Sequence, residues 1–210
     1  MCGRFNVIDD PITQSIMELL GIKFEVTTND NVCPSELVST LSLSNGKITQ
    51  INSNWGIKPD WANKLLINAQ SETVAQKKTF KQAFLSHRCL IPLSGWYEWL
   101  SNDQGKKQKY LFSNDEQVFY MAAIMFQKQS EPEVNLALDL FGEPLEKTQP
   151  NKQFVSLTTR ANHQCQPIHS RMPLIIPKER IRQWLDSENE QAVELLHAEL
   201  PSINITKVKS

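Results

Sequence analysis

No stretch of this sequence is both apolar and long enough to cross a bilayer, which takes about 20 consecutive apolar residues. The amino terminus also lacks the basic region and apolar stretch of a secretory signal peptide. Hydrophobic residues make up 40% of the 210, as in an ordinary globular protein. We therefore expect a cytoplasmic protein with no membrane partner.

Cysteine is scarce as well. The four cysteines are Cys2, Cys33, Cys89 and Cys165. They contain no C-x-x-C pair and do not form a disulfide framework, so we expect reduced thiols. His163, Cys165 and His169 are the competing metal-site pattern, because these residue types bind zinc. Pro167 interrupts any helix that would align them, and the sequence predicts no metal and no cofactor.

The sequence also lacks an excess of either charge: it has 22 basic and 23 acidic residues, and its net charge is −1. This balance does not mark the whole chain as a nucleic-acid-binding protein. Between Lys58 and Lys109, however, basic residues outnumber acidic ones nine to four. This segment, which includes Lys77 and Lys78, is either a solvated lysine face or a local phosphate-binding surface.

Runs typical of strands follow one another along the chain, with helical patterns between them and no regular strand–helix alternation. Ser44-Asn45-Gly46 predicts a hairpin turn. Asp10 is expected to cap a helix whose first residue is Pro11 and which ends at Gly21. The polar, proline-containing stretch 127–152 predicts a loop insertion. We predict an α+β fold, largely antiparallel, with a barrel-like β core and peripheral helices, in one domain over 1–210.

Three segments carry polar side chains that are costly to bury. Asn68 follows the apolar run Leu65–Ile67, so it is either a turn or cap residue or a buried amide with hydrogen-bond partners. Glu98 lies between aromatic residues, so it either points to water or is a desolvated acid with a raised pKa. His169 and Arg171 lie between two prolines. Either His169 moves protons and Arg171 binds a phosphate, or the segment is a loop in which His169 has a structural role only.

Cys2 directly follows the initiator methionine, which is normally removed before a residue as small as cysteine. The mature chain would then begin with a cysteine that carries an α-amine beside its thiol. An α-amine has a pKa of about 7.7–8.0, so part of it is neutral near physiological pH. It can condense with an aldehyde, and the thiol can then close a thiazolidine ring. The alternative is that Cys2 is a small buried hydrophobe.

Eight motifs occur in a fixed order along the chain. They are Cys2-Gly3-Arg4-Phe5, Asn31-Val32-Cys33-Pro34, Trp55-Gly56-Ile57-Lys58-Pro59-Asp60-Trp61, Ile67-Asn68-Ala69-Gln70-Ser71-Glu72-Thr73, Arg88-Cys89-Leu90-Ile91-Pro92, Gly95-Trp96-Tyr97-Glu98-Trp99, Thr158-Thr159-x-Ala161-Asn162 and Ile168-His169-Ser170-Arg171-Met172-Pro173. Each motif is short, but the ordered set resembles the SOS-response-associated peptidase (SRAP) family over nearly the whole chain.

The resemblance implies a sensor of abasic sites in single-stranded DNA that links itself covalently to the lesion. Cys2, exposed by removal of Met1, would form the thiazolidine with the opened sugar. Asn68 would orient the deoxyribose, Glu98 would act as acid and base in ring opening, and His169 would assist imine formation.

The resemblance also implies a DNA-binding surface and partners. Arg4 and Arg171 match positions that contact DNA phosphates, Thr158 matches a position that lines the pocket, and Pro34 and Trp55 lie in motifs near the DNA channel. Lys77 and Lys78 join this DNA-binding set from the basic segment. Gln70 stands where the family usually has a phosphate-binding arginine, and Lys77, Lys78 or Lys81 would compensate. The implied partners are single-stranded DNA with abasic sites and replication-fork proteins. The protein would be a monomer that joins the nucleoid when bound to DNA.

Two other functions remain open. Cys2 with His169 and Glu98 could form a thiol peptidase or autopeptidase, as the family name indicates. A chain that keeps Met1 has no free amine on Cys2, and would then be a non-covalent module that binds single-stranded DNA.

Overall fold

The computed structural model describes residues 2–102, 104–116, 118–127, 152–186, 188–197 and 202–208. The strands are β1 (Phe5–Val7), β2 (Asn29–Val32), β3 (Leu37–Ser44), β4 (Lys47–Trp55), β5 (Asn68–Gln70), β6 (Arg88–Leu93), β7 (Gly95–Ser101), β8 (Lys107–Ser113), β9 (Phe119–Gln127), β10 (Lys152–Arg160), β11 (Arg171–Pro173) and β12 (Asn204–Lys207). The helices are α1 (Asp9–Leu20), α2 (Ser71–Val74), α3 (Lys78–Ser86), α4 (Ile181–Asp186) and α5 (Asn189–Glu194). No helix in these ranges is long and apolar enough to span a membrane.

The strands form two sheets. The smaller has the order β12–β8–β7–β1–β2, and the larger runs β11–β10–β4–β3–β6–β9. Because β9 also pairs with β10, five strands of the larger sheet close a barrel-like ring of hydrogen bonds. β10 runs parallel to β4 and β5, and the other described neighbours are antiparallel. The predicted α+β, largely antiparallel fold is confirmed. The predicted insertion 127–152 lies, apart from its two end residues, outside the described residues.

Local signals set two of the chain reversals as predicted. Asn45 and Gly46 join β3 to β4 with φ angles of 49° and 71°, the positive values that a tight hairpin turn requires. Gly21 ends α1 with φ 67° and donates its N–H to the Met17 carbonyl at 2.9 Å. Asp10 has extended backbone angles, so the regular helix begins at Pro11, as predicted.

Aromatic side chains join the two sheets around the start of the chain. The Phe5 ring of the smaller sheet lies 4.9 Å from the ring of Trp55 on β4, and Trp55 stacks on Phe154 of β10 at 6.2 Å. All three side chains are fully buried, and burying one such aromatic contributes roughly 1.5–3 kcal/mol. This packing fixes β1, and with it the amino-terminal residues, against the ring of strands.

A close turn at Ser94 carries the chain from the ring into the smaller sheet. The Ser94 N–H donates to the Asn6 carbonyl at 3.0 Å, which ties this turn to β1. Gly95 follows, and a Cβ there would lie 2.5 Å from the carbonyl oxygen of Phe112 on β8. Only glycine allows β7 and β8 to approach this closely, and the approach sets where the side chains of β7 lie.

Arg88 fixes two peripheral helices to the ring. Its Nε donates to the Trp184 carbonyl of α4 at 2.6 Å, and its guanidinium donates to the Phe84 carbonyl of α3 at 3.0 Å. Burial lowers the pKa of Arg88 from its ordinary value. The cost of burying this charge is offset by helix-end carbonyls that would otherwise lack donors.

Candidate active site

Cys2 is fully buried three residues before the start of β1. Its thiol lies 3.8 Å from the Arg4 carbonyl oxygen, which also accepts the Tyr97 N–H at 2.9 Å. Burial raises the pKa of the Cys2 thiol far above its ordinary value, and the charge of Glu98 raises it further. The thiol is therefore held in its protonated form beside Glu98.

Asn68, the first residue of β5, holds the backbone of Cys2. Its Nδ2 donates to the Cys2 carbonyl at 2.8 Å, across 66 positions of sequence. Its Oδ1 lies 2.5 Å from the Ser156 hydroxyl on β10, which pairs with β5 in parallel. Asn68 is therefore a partly buried amide with hydrogen-bond partners, which is the second of the two interpretations offered by the sequence.

Glu98 is 4% exposed on β7 and lies two residues from the fully buried Trp96 on the same face of the strand. Burial raises the pKa of Glu98 from its ordinary value, and the nearby His169 opposes this rise. The Glu98 Oε1 lies 4.0 Å from the His169 Nδ1. A desolvated carboxyl beside an imidazole is an arrangement suited to moving protons near neutral pH.

His169 is oriented by the backbone of Arg171. The Arg171 N–H donates to the His169 Nδ1 at 3.0 Å, and the Arg171 carbonyl oxygen lies at the same distance from that nitrogen. The imidazole keeps 27% of its side chain exposed, so it lies at the mouth of the site. The imidazole is therefore fixed on one side by β11 and faces Glu98.

The Arg171 side chain, for which a phosphate contact is predicted, is bound by other groups of the protein. Its guanidinium binds both carboxylate oxygens of Glu72, at 2.6 and 2.9 Å, and donates to the Thr158 carbonyl at 2.6 Å. Hydrogen bonding from Arg171 lowers the pKa of Glu72. Thr158 is 1% exposed, so the prediction that it contacts DNA is wrong. Its carbonyl and hydroxyl oxygens instead accept hydrogen bonds from the Arg171 guanidinium. Glu72 lies in one of the eight motifs, but the sequence assigns it no role, because its partner is 99 positions away.

Trp55 was predicted to contact DNA and is fully buried instead, with its Nε1 donating to the Ile67 carbonyl at 3.0 Å. The alternation of β4 turns this indole into the core, where it cannot reach a ligand. Trp61, at the other end of the same motif, is 67% exposed. Its position after Pro59-Asp60, in a loop, is the signal that could have identified it.

The other predicted DNA-binding residues remain accessible. Arg4 is half-buried and donates to the Asn31 Oδ1 at 2.9 Å, and Pro34, two residues after β2, is also half-buried. Lys77 and Lys78 are exposed at the start of α3. Their cationic groups can approach a phosphate without losing a protein partner among the described residues.

The described residues contain no group of three or more histidine, cysteine or acidic side chains arranged to hold a metal ion. Cys165 is buried beside His169, and its carbonyl accepts the His169 backbone N–H at 3.1 Å. Burial raises the pKa of the Cys165 thiol to about 11, with a smaller contribution from Glu98. His163, from the same predicted pattern, is exposed.

Comparison with known proteins gives one family over the whole chain. The model of the family described as "SOS response associated peptidase (SRAP)" matches residues 1–210. The chain is similar to the abasic site processing protein YoqW of Bacillus subtilis, with 29% identity over 198 residues, 90% of this chain and 82% of YoqW. It is similar to the abasic site processing protein YedK of Escherichia coli, with 29% identity over 200 residues, 90% of this chain and 81% of YedK.

A solved structure shares the fold. A phage-related protein from Bordetella bronchiseptica superposes with a TM-score of 0.78 at 22% identity, over 100% of this chain and 95% of that one. At this identity the likeness concerns the arrangement of strands and helices alone.

Proposed function

Because the chain belongs to the SOS response associated peptidase (SRAP) family, we propose that it processes abasic sites in single-stranded DNA by linking Cys2 covalently to them. The names of its relatives YoqW and YedK give those proteins the same target. One observation carries the proposal: Asn68 holds the Cys2 backbone beside the desolvated Glu98. A cysteine that served only as core would need neither neighbour.

The covalent step uses both groups of an amino-terminal Cys2. After removal of Met1, the neutral α-amine adds to the C1 aldehyde of the opened abasic sugar and gives a carbinolamine. Loss of one water forms the imine. The sulfur then bonds to the imine carbon, and the thiol proton ends on the nitrogen, which closes the thiazolidine ring. The sum releases one water and needs no oxidant or reductant.

Glu98 and His169 supply the proton transfers of this sequence. Ring opening needs a proton on the ring oxygen and removal of one from the hydroxyl at C1. Because burial raises the pKa of Glu98, its carboxyl retains a proton at higher pH than an exposed glutamate and can donate it. His169, 4.0 Å away, takes up or returns a proton as the carbinolamine loses water.

The raised pKa of the Cys2 thiol favours this route over thiol peptidase chemistry. A peptidase attacks with a thiolate, so its cysteine needs a lowered pKa. Burial and the charge of Glu98 act in the opposite direction on Cys2. In the proposed route the amine attacks first, and the thiol is needed only once the imine carbon lies beside it.

DNA would be bound by phosphate contacts and stacking. Arg4, Lys77 and Lys78 offer cationic groups, and Trp61 offers an exposed ring on which a base can stack. These contacts read no base edge. Specificity for the lesion would then follow from the site, because only a nucleotide without a base presents an aldehyde to Cys2.

The test uses purified protein, whose removal of Met1 is first verified by intact mass, and a single-stranded oligonucleotide with one abasic site. We expect a heat-stable shifted band that is lost in Cys2→Ala. Cys2→Ser keeps the amine, so borohydride reduction should trap its imine. Equal bands from wild type and Cys2→Ala would overturn the assignment of Cys2. Binding without a heat-stable or reducible link would favour a non-covalent module, and peptide cleavage without a link would favour a peptidase.

A further inference from the structure

The Ser156 hydroxyl lies between two acceptors beneath the candidate active site. Ser156 is fully buried on β10. Its Oγ is 3.0 Å from the Ile67 carbonyl oxygen and 2.5 Å from the Asn68 Oδ1. A serine hydroxyl has one proton to donate, so the identity of its acceptor decides how the neighbouring amide is oriented.

The Ile67 carbonyl already has two donors. It accepts the Ser156 backbone N–H at 3.0 Å and the Trp55 Nε1–H at 3.0 Å. A carbonyl oxygen has two lone pairs, so both are in use. The Ser156 hydroxyl therefore donates its proton to the Asn68 Oδ1, the shorter of its two contacts.

This bond fixes which end of the Asn68 amide faces Cys2. With Oδ1 bound to Ser156, the Nδ2 group must point the other way, where it donates to the Cys2 carbonyl at 2.8 Å. The flipped amide would bring Oδ1 against the Cys2 oxygen. It would also leave the buried Ser156 proton without an acceptor, and both changes cost free energy.

We infer that Ser156 is a positioning residue for Cys2 and acts through the amide of Asn68. The Cys2 carbonyl carbon is bonded to the Cα that carries the amine and the thiol side chain. A donor that fixes this carbonyl therefore fixes the direction of both reacting groups. The effect of Ser156 on catalysis rests on the proposed function. The two hydrogen bonds themselves, from Ser156 to Asn68 and from Asn68 to Cys2, can be tested without DNA.

The first experiment measures solvent exchange of the Asn68 side-chain amide protons by NMR on isotope-labelled protein. In the wild type, the proton donated to Cys2 should exchange slowly. Ser156→Ala should speed this exchange about tenfold or more, because the amide loses the bond that prevents its rotation. Ser53→Ala is the matched control, since Ser53 is an equally buried serine of the same sheet whose hydroxyl contacts Thr40 instead. Equal exchange in wild type and Ser156→Ala would overturn the inference.

The second experiment measures single-turnover linking to abasic single-stranded DNA over a range of DNA concentrations. Ser156→Ala should lower the rate constant at saturating DNA about tenfold and leave the half-saturating concentration unchanged. Ser53→Ala should change neither. A normal rate constant in Ser156→Ala would overturn the positioning role. If the wild type itself forms no link, the proposed function fails, whereas the NMR result still decides the orientation of Asn68.

Discussion

At the scale of single residues, the surroundings of two glutamates shift their pKa values in opposite directions. Glu98 is desolvated on β7, and its pKa is raised by burial. Glu72 is bound at both oxygens by Arg171, and its pKa is lowered chiefly by that hydrogen bonding. Glu98 is suited to carrying a proton, and Glu72 to holding a cation. Replacing each with glutamine should therefore change the free energy of unfolding at neutral pH in opposite directions.

Glu98→Gln should stabilise the fold at neutral pH and impair the reaction. A raised folded-state pKa gives stability that is fully present below the unfolded pKa of about 4.3 and is lost as pH rises through the folded pKa. Glutamine does not ionise, so the stability of the variant relative to the wild type should increase as pH rises above the unfolded pKa and through the raised folded pKa of Glu98. Linking should slow about 100-fold, because a general acid is removed.

Urea unfolding at several pH values and single-turnover linking check this prediction. A stability difference between Glu98→Gln and wild type that stays constant with pH would contradict the raised pKa. Unchanged linking would contradict the acid role of Glu98.

Glu72→Gln should show the reverse dependence. A lowered folded-state pKa gives stability that is present above the unfolded pKa of about 4.3 and is lost as pH falls through the folded pKa. The variant should therefore lose about 1–3 kcal/mol at pH near 7, the scale of charge-assisted hydrogen bonds, and approach the wild type in acid. Denaturant titrations at neutral and acidic pH measure both values, and a deficit that persists undiminished in acid would refute the ion-pair explanation.

At the scale of elements, β7 positions the acid and the loop 56–61 presents the aromatic surface. β7 reaches its place because Gly95 lets it lie directly against β8. The loop leaves the core at Gly56, whose φ of 109° suits glycine, and ends at the exposed Trp61. In each element a glycine permits the backbone path, which leads to Glu98 in β7 and to an exposed aromatic ring in the loop.

Gly95→Ala should disturb the site through β7. Its Cβ would lie 2.5 Å from the Phe112 carbonyl, a backbone atom that cannot move without breaking the strand pair. We expect a loss of about 1–3 kcal/mol in the free energy of unfolding and slower linking, as Glu98 shifts with its strand. Ser101→Ala, at the exposed end of β7, is the control and should be near neutral. Thermal unfolding and linking rates test both variants, and a Gly95→Ala protein as stable as wild type would contradict the clash.

Trp61→Ala should weaken binding of single-stranded DNA by about 1–3 kcal/mol, the contribution of one stacked base. Because the indole is 67% exposed, the free energy of unfolding should change by less than about 0.5 kcal/mol. Trp61→Phe keeps an aromatic face and should recover most of the affinity. Fluorescence anisotropy with a labelled oligonucleotide measures the three proteins, and equal affinity of Trp61→Ala and wild type would exclude stacking at this loop.

At the scale of the whole molecule, a chain of nearly neutral net charge exposes two adjacent lysines, Lys77 and Lys78. The net charge is −1, so attraction to DNA must come from local cations and not from a global field. Lys77 and Lys78 are exposed at the start of α3, whereas Arg171 is held by Glu72. Affinity should therefore depend on a small number of phosphate contacts and fall with salt.

Lys77→Ala and Lys78→Ala should each reduce the salt dependence of binding. On single strands, each phosphate contact contributes about 0.7 to the slope of log affinity against log salt. The double variant should lose about twice that value. Lys178→Ala is the control, because Lys178 is bound by Glu116 at 3.0 Å, and it should leave the slope unchanged. A slope in the double variant equal to the wild-type slope would exclude these lysines from the surface.

The sequence alone determined the features that depend on neighbouring residues. The turn at Asn45-Gly46 and the helix end at Gly21 follow from backbone angles that these residues adopt readily. The α+β character follows from the succession of strand-like runs. The sequence also proposes Cys2, Asn68, Glu98 and His169 as candidates, because the ordered motifs that contain them resemble those of the SRAP family.

Only the tertiary structure decided which side chains meet. The pairing of the strands buries Trp55 and Thr158. It also places Arg171 within hydrogen-bond distance of Glu72, and Ser156 of β10 beside Asn68 of β5. These partners are separated by about ninety residues or more, and no local pattern encodes such a pairing. The physical reason is that conformational preference acts over a few residues, whereas burial and hydrogen-bond partners are set by contacts between distant strands.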